Sequence, residues 1–107
     1  MAIKTLEELK GGRTVEFKLY SIKPGGWKNY FHYWRKIVKL RKAAGFKVEF
    51  AVADIPGGRF VWAVSVDGNF IEKDANYLSG EDRLAANMIS DYIGKSEIPK
   101  VVYIPIP

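Results

Sequence analysis

The 107-residue chain has no cysteine and a single histidine. The first absence removes disulfides, thiolate nucleophiles and cysteine-rich zinc sites. The second leaves too few ligands for the usual zinc set, so no metal and no cofactor is expected. No run of roughly 18 apolar residues is present, which argues against a membrane-spanning helix. The opening MAIKTLEELKGG lacks the apolar core and cleavage-type ending of a secretory leader, and the expected address is the cytoplasm. Phosphate-binding loops are missing as well: Pro24-Gly25-Gly26 and Pro56-Gly57-Gly58 lack the spacing and the lysine of such a loop and read as turns.

Charge of one sign is not concentrated either. Lysine and arginine number 17 against 12 acidic residues, a net of +5, but the cations are spread along the chain. The single local concentration, Lys36, Lys39, Arg41 and Lys42, reads as a solvated helix face. No RNA-binding or zinc-finger signature accompanies it, so a nucleic-acid partner is not expected. What the chain does have is 48% hydrophobic residues, enough for one folded domain with its own core.

Residues 1–12 read as an N-terminal extension in which Thr5 and Glu8 are spaced as a capping box, with Gly11-Gly12 ending the turn. The domain proper is expected over 13–107. Alternation marks a first strand over Thr14–Ile22, and Pro24-Gly25-Gly26 opens a long helix that Gly45 stops. A second strand over Phe46–Asp54 and a third over Arg59–Val66 flank the Ile55–Gly58 turn as a hairpin. A helix over Phe70–Leu78 and another from Ser79 to Tyr92 precede a last strand over Val101–Ile104. The order β-α-β-β-α-β predicts an α+β, ferredoxin-like domain, a four-stranded antiparallel sheet with its helices on one face.

Such a sheet should show water an alternating face. Instead Phe60–Val66 is apolar on both faces apart from Ser65, and Val101–Ile104 is apolar throughout. An apolar face of that size calls for a cover, and a second copy packed sheet to sheet predicts a homodimer. In the long helix Trp27, Phe31, Trp34 and Val38 form one stripe, flanked by Tyr30, Tyr33, Ile37 and Leu40.

Several stretches carry a family likeness. Glu16–Tyr20, Ile22–Gly25, Trp27, Trp34, Leu40–Phe46, Phe60–Trp62, Asp67-Gly68, Tyr77–Arg83 and a terminal strand ending in proline together resemble NIPSNAP-like members of the dimeric α+β barrel superfamily. The resemblance spans about residues 14–107 and implies a homodimer whose two sheets enclose a barrel-like lumen. That superfamily includes cofactor-independent monooxygenases, polyketide cyclases, lactone isomerases and haem-degrading enzymes. The chain departs from the enzymatic subgroups in having no histidine on a strand or in the second helix; His32 falls on the solvent side of the first helix beside Lys28, Lys36 and Lys39.

The candidate site starts from the first strand, central in this order. With Val15, Phe17 and Leu19 turned to the helices, Glu16, Lys18 and Tyr20 are expected in the space between the two sheets. Two charges and a phenol there need partners or a ligand. In one reading Lys18 and Glu16 are a structural ion pair that sets dimer registry. In the other, Tyr20 donates a proton or hydrogen bond, Glu16 or Glu49 acts as base, Lys18 binds, and Phe60 and Trp62 form an aromatic wall for a flat ligand. Tyr77, Glu81 and Arg83 either cap and pair among themselves or line the pocket entrance. Two functions follow: a homodimer handling a hydrophobic or aromatic small molecule, as a binder or by proton-transfer chemistry of the cyclase, isomerase or monooxygenase kind, or a non-catalytic dimer with a side-chain-filled lumen.

Overall fold

Alternating side chains and turn chemistry produce the expected scaffold in the computed structural model, which describes residues 14–104 and 107. The expected capping box at Thr5 and Glu8 lies outside the described residues. Strand β1 runs over Val15–Ile22, β2 over Lys47–Asp54 and β3 over Arg59–Ser65. Between β1 and β2 lies helix α1, Trp27–Ala43. It ends where Gly45 takes φ +91°, a value costly for any residue with a Cβ, while the Phe46 N–H returns to the Arg41 carbonyl at 3.0 Å. The β2–β3 hairpin closes on Asp54, which accepts from Gly57 N–H at 3.0 Å and from the Arg59 guanidinium at 2.7 Å. Helix α2, Phe70–Leu78, starts at Asn69, whose side chain accepts from Glu72 N–H at 3.0 Å.

The sheet order is β2-β3-β1-β4, every pairing antiparallel, so β1 is central as expected. Both long helices lie over one face. Phe60 of β3 sits at the centre of that layer, its ring centroid 5.2–6.4 Å from those of Trp27, Tyr30, Phe31 and Trp34 on α1. No helix among the described residues is long and apolar enough to cross a membrane.

The last third departs from the sequence expectation. The helix expected from Ser79 to Tyr92 is a short α3, Glu81–Ala85, followed by a 3-10 helix over Asn87–Tyr92. Ala86 and Ile89 are buried and Tyr92 half-buried, three residues apart each time. That spacing suits a helix of three residues per turn rather than 3.6. Strand β4 is Ile93–Glu97, not Val101–Ile104; the latter contributes only its first residue to a two-residue β5, Lys100–Val101, which also pairs with β1. An edge strand with one ladder and mostly solvated side chains carries no apolar alternation, so Gly94-Lys95-Ser96-Glu97 hides it. Its position is held by Ser21 Oγ, which accepts from Lys95 N–H at 2.6 Å; a Cβ on Gly94 would lie 2.8 Å from the same oxygen.

Candidate functional site

The parity of β1 is the reverse of the expectation. Phe60, Trp62 and Val64 must face the aromatic stripe of α1, and residues directly paired across an antiparallel ladder share a face. Tyr20 pairs with Phe60, Lys18 with Trp62 and Glu16 with Val64. Glu16, Lys18 and Tyr20 therefore lie in the layer between sheet and helices of one subunit, not on the face that could meet a second sheet. Tyr20 meets Tyr30 of α1 edge-on at 6.3 Å. Phe17 and Leu19, expected toward the helices, occupy the other face, where Phe17 meets Phe50 edge-on at 5.2 Å.

The buried polar groups are organised as ion pairs. Lys18 Nζ lies 2.6 Å from Glu16 Oε1 and 5.7 Å from the centroid of the Trp62 ring. Lys100 Nζ approaches the other carboxylate oxygen of Glu16 at 3.4 Å. Arg41, expected in the solvated basic face, is only 2% exposed. Its Nη1 pairs with Asp74 Oδ1 at 2.5 Å, and its guanidinium lies 4.5 Å from the Phe46 ring centroid and 4.0 Å from that of Tyr77. Arg41 continues the buried stripe Tyr30–Ile37 by one further turn, which is the signal that places it inside. His32 is exposed, as expected.

These surroundings act on the titrations. Burial lowers the Lys18 pKa, the Arg41 charge adds to this, and Glu16 opposes it. The Tyr20 pKa is pushed up to about 12, first by burial and then by Glu16, against the opposing pull of Arg83, Trp62 and Arg41. Burial raises Tyr30 and Tyr77 too, with Arg41 and Arg83 opposing the rise at Tyr77. Tyr20 therefore keeps its proton at physiological pH. Glu16, with an ammonium on each oxygen, is placed as a charge partner more than as a base.

Around this cluster several donors have no acceptor. Among the described residues Tyr30 Oη, Trp34 Nε1 and Arg41 Nε are buried atoms without a hydrogen-bond partner, and the Trp62 indole reaches only the Tyr20 phenol. Buried donors normally find a partner, so such a set points to water or a ligand. Trp34 and Trp62 meet edge-on at 5.7 Å. A cavity of about 500 Å³ opens between α1 and the α2–α3 junction, lined among others by Leu40, Ala44, Asn76, Tyr77, Glu81 and Arg83. The three residues expected at a pocket entrance thus line one depression. Arg83 does not pair with Glu81; its Nη1 donates to Asn87 Oδ1 at 2.5 Å.

Glu49 does not join the site. A bulge in β2 between Val48 and Phe50 turns it to the opposite face, where it accepts from Ser65 Oγ at 2.5 Å and pairs with Lys47 at 3.5 Å. Strict alternation would put it on one face with Ala51 and Ala53, but a bulge shifts the parity of every residue beyond it. On that opposite face a second groove, about 440 Å³, has an apolar floor of Leu19, Val52 and Val61 and a rim including Asp54, Arg59, Lys95 and Glu97. Among the described residues no three histidines or carboxylates gather as a metal site.

In fold the chain is NIPSNAP-like, a ferredoxin-like α+β domain. It superimposes on a NIPSNAP family protein of unknown function from Agrobacterium tumefaciens with a TM-score of 0.76, at 16% identity over 89% of this chain and 91% of that one. A second NIPSNAP family protein from the same organism gives 0.73 at 19% identity, covering 85% of each chain. An antibiotic biosynthesis monooxygenase gives 0.70 at 12% identity over 86% of this chain and 99% of that one. No protein-family model matches the sequence, and no curated protein matches it.

Proposed function

We propose that the chain is a cytoplasmic homodimer that handles a hydrophobic or aromatic small molecule, bound within each subunit between the sheet and the helices. The observation that carries this reading is the set of buried donors without acceptors among the described residues, Tyr30 and Trp34 among them, beside the Tyr20 phenol and Trp62. Their aromatic bodies suit a flat ligand, and their polar atoms suit its oxygens. The fold is shared with an antibiotic biosynthesis monooxygenase, which supports small-molecule chemistry as a class while leaving the reaction open.

The dimer rests on the other sheet face. Phe17, Leu19, Phe50 and Val61 are only half-buried there, and Val52 is 56% exposed. A second copy is the economical cover for such a face. Ligand binding is tested by comparing wild type with Tyr20→Phe and Trp62→Phe for uptake of a polycyclic aromatic probe such as 1-hydroxynaphthalene. Weaker binding by both variants, with an unchanged far-ultraviolet spectrum, supports the site. Wild-type binding by both removes it.

A second reading has its own support. Glu16 is held by two lysines, the arrangement of a structural ion pair rather than of a base, although inside one subunit it does not set dimer registry. It predicts that Lys18→Met with Glu16→Leu is neutral or stabilising and leaves any ligand uptake intact.

A further inference from the structure

The outer side of α1 carries charge of one sign only. Its 17 residues include no aspartate or glutamate, and Lys28, Arg35, Lys36, Lys39 and Lys42 are all exposed. At about 100° per residue, Lys28, His32, Arg35, Lys39 and Lys42 fall within about 40° of one line along the helix, with Lys36 beside it. From Lys28 to Lys42 this ridge is about 21 Å long. None of the five Lys and Arg side chains forms an ion pair among the described residues. Arg35 and Lys36 rest over the Phe31 and Tyr33 rings at 5.9 and 5.6 Å. The chain has 17 Lys and Arg against 12 Asp and Glu, so these five equal its entire excess of charge.

A second feature borders the ridge. Leu84 of α3 and Met88 of the 3-10 helix are 52% and 53% exposed. Both elements pack beside α1: the Tyr33 hydroxyl reaches Met88 Sδ at 3.8 Å, and Lys36 and Lys39 share a depression with Ala85 and Ala86. Asp82 lines the same depression and pairs with neither lysine. The exposed acids of these two elements, Glu81, Asp82 and Asp91, are fewer than the five cations of the ridge, so the helix layer stays positive.

We propose that this ridge docks the protein on an anionic lipid surface, its cations against the headgroups and Leu84 and Met88 dipped beneath them. The apolar side of α1 is used up in the core, so the helix itself does not insert. Attraction is electrostatic, and the two aliphatic side chains add a shallow apolar contact. A nucleic-acid strand is the other common polyanion, but it also draws affinity from rings on which its bases stack. Every Phe, Tyr and Trp of α1 is buried or half-buried, and Tyr33 is already stacked on Tyr92 at 6.1 Å. The ridge faces away from the sheet, so a second copy on the outer sheet face leaves it free. Docking therefore stands whether or not a ligand occupies the layer beneath α1.

Co-sedimentation of the full-length protein with sucrose-loaded vesicles tests this. Vesicles of phosphatidylcholine with one-third phosphatidylserine are expected to carry the protein down at low salt, and pure phosphatidylcholine vesicles to leave it in solution. Half-molar salt should release it. Each cation near an anionic surface is worth about fivefold, so Lys28→Gln with Lys39→Gln should weaken binding about 20- to 30-fold. Lys47→Gln with Lys73→Gln removes the same charge from elsewhere on the surface and should change binding little. Leu84→Ser with Met88→Ser should weaken it several-fold with the salt dependence kept; no loss there overturns the apolar contact. No binding to the anionic vesicles at low salt, or equal losses in the two lysine pairs, overturns the proposal. So does tighter binding to a single-stranded oligothymidylate than to the vesicles, which would make the partner a nucleic acid.

Discussion

The two faces of one central strand do opposite things. On β1 the even-numbered residues Glu16, Lys18 and Tyr20 carry charge and hydroxyl into the protein's interior, and the odd-numbered Phe17 and Leu19 carry hydrocarbon outward. A domain that needed only to fold would place them the other way round. The inversion works because β3 and α1 supply the apolar filling that β1 does not. Phe60 and Trp62, with Trp27, Tyr30, Phe31 and Trp34, surround the polar groups with rings. A polar interior beside orphan donors reads as a place for a ligand, and an apolar exterior reads as a place for another sheet.

Substitutions on the two faces should therefore differ in kind as well as size. The largest effect is expected inside. Phe60→Ala removes the ring on which four aromatic side chains of α1 converge and should cost about 3–5 kcal/mol in urea unfolding. A loss below about 1 kcal/mol would mean that the aromatic layer repacks freely. Next is the ion pair. Lys18→Met leaves Glu16 buried with only Lys100 at 3.4 Å and should cost about 2–3 kcal/mol. Adding Glu16→Leu should restore most of that loss, and a double variant less stable than the single one would contradict a simple charge pair.

One residue from Phe60, on the other face, Val61→Lys should leave circular dichroism intact yet weaken self-association roughly a hundredfold, because a charge would have to enter the sheet–sheet contact. Sedimentation velocity reads this directly, and a dimer as tight as wild type would break the assignment of that face. The smallest effect is a pH dependence confined to the interior. Tyr20, with its pKa at about 12, holds its proton more tightly folded than unfolded. Its stabilising contribution is complete below the ordinary tyrosine value near 10 and is lost as pH rises toward 12. Tyr20→Phe should flatten the denaturation profile over that window, and an unchanged slope would place the alkaline sensitivity elsewhere.

Much of this was legible in the sequence because strong local signals agreed with the fold. The Pro24–Gly26 and Gly45 boundaries of α1, the Ile55–Gly58 hairpin and the Phe70–Leu78 span of α2 are local signals that tertiary contacts did not override. The grouping of Glu16, Lys18 and Tyr20 with Phe60 and Trp62 followed from strand alternation alone. Which face that group occupied did not, because alternation fixes relative parity and not direction. The apolar-inward rule then pointed the wrong way. Glu49 was misplaced by a bulge that leaves no mark in composition, and β4 by an edge position that removes the usual apolar pattern. Arg41 was hidden by its neighbours Lys39 and Lys42, although its spacing from Tyr30 and Ile37 put it on the buried stripe.

The division of labour between the faces is tested most directly by native mass spectrometry of the freshly purified protein. The account predicts twice the 12.1 kDa chain mass, with each subunit able to retain a small molecule that Trp62→Phe weakens and Val61→Lys does not. A monomer, or a dimer whose bound mass is lost with Val61→Lys and kept with Trp62→Phe, would contradict it.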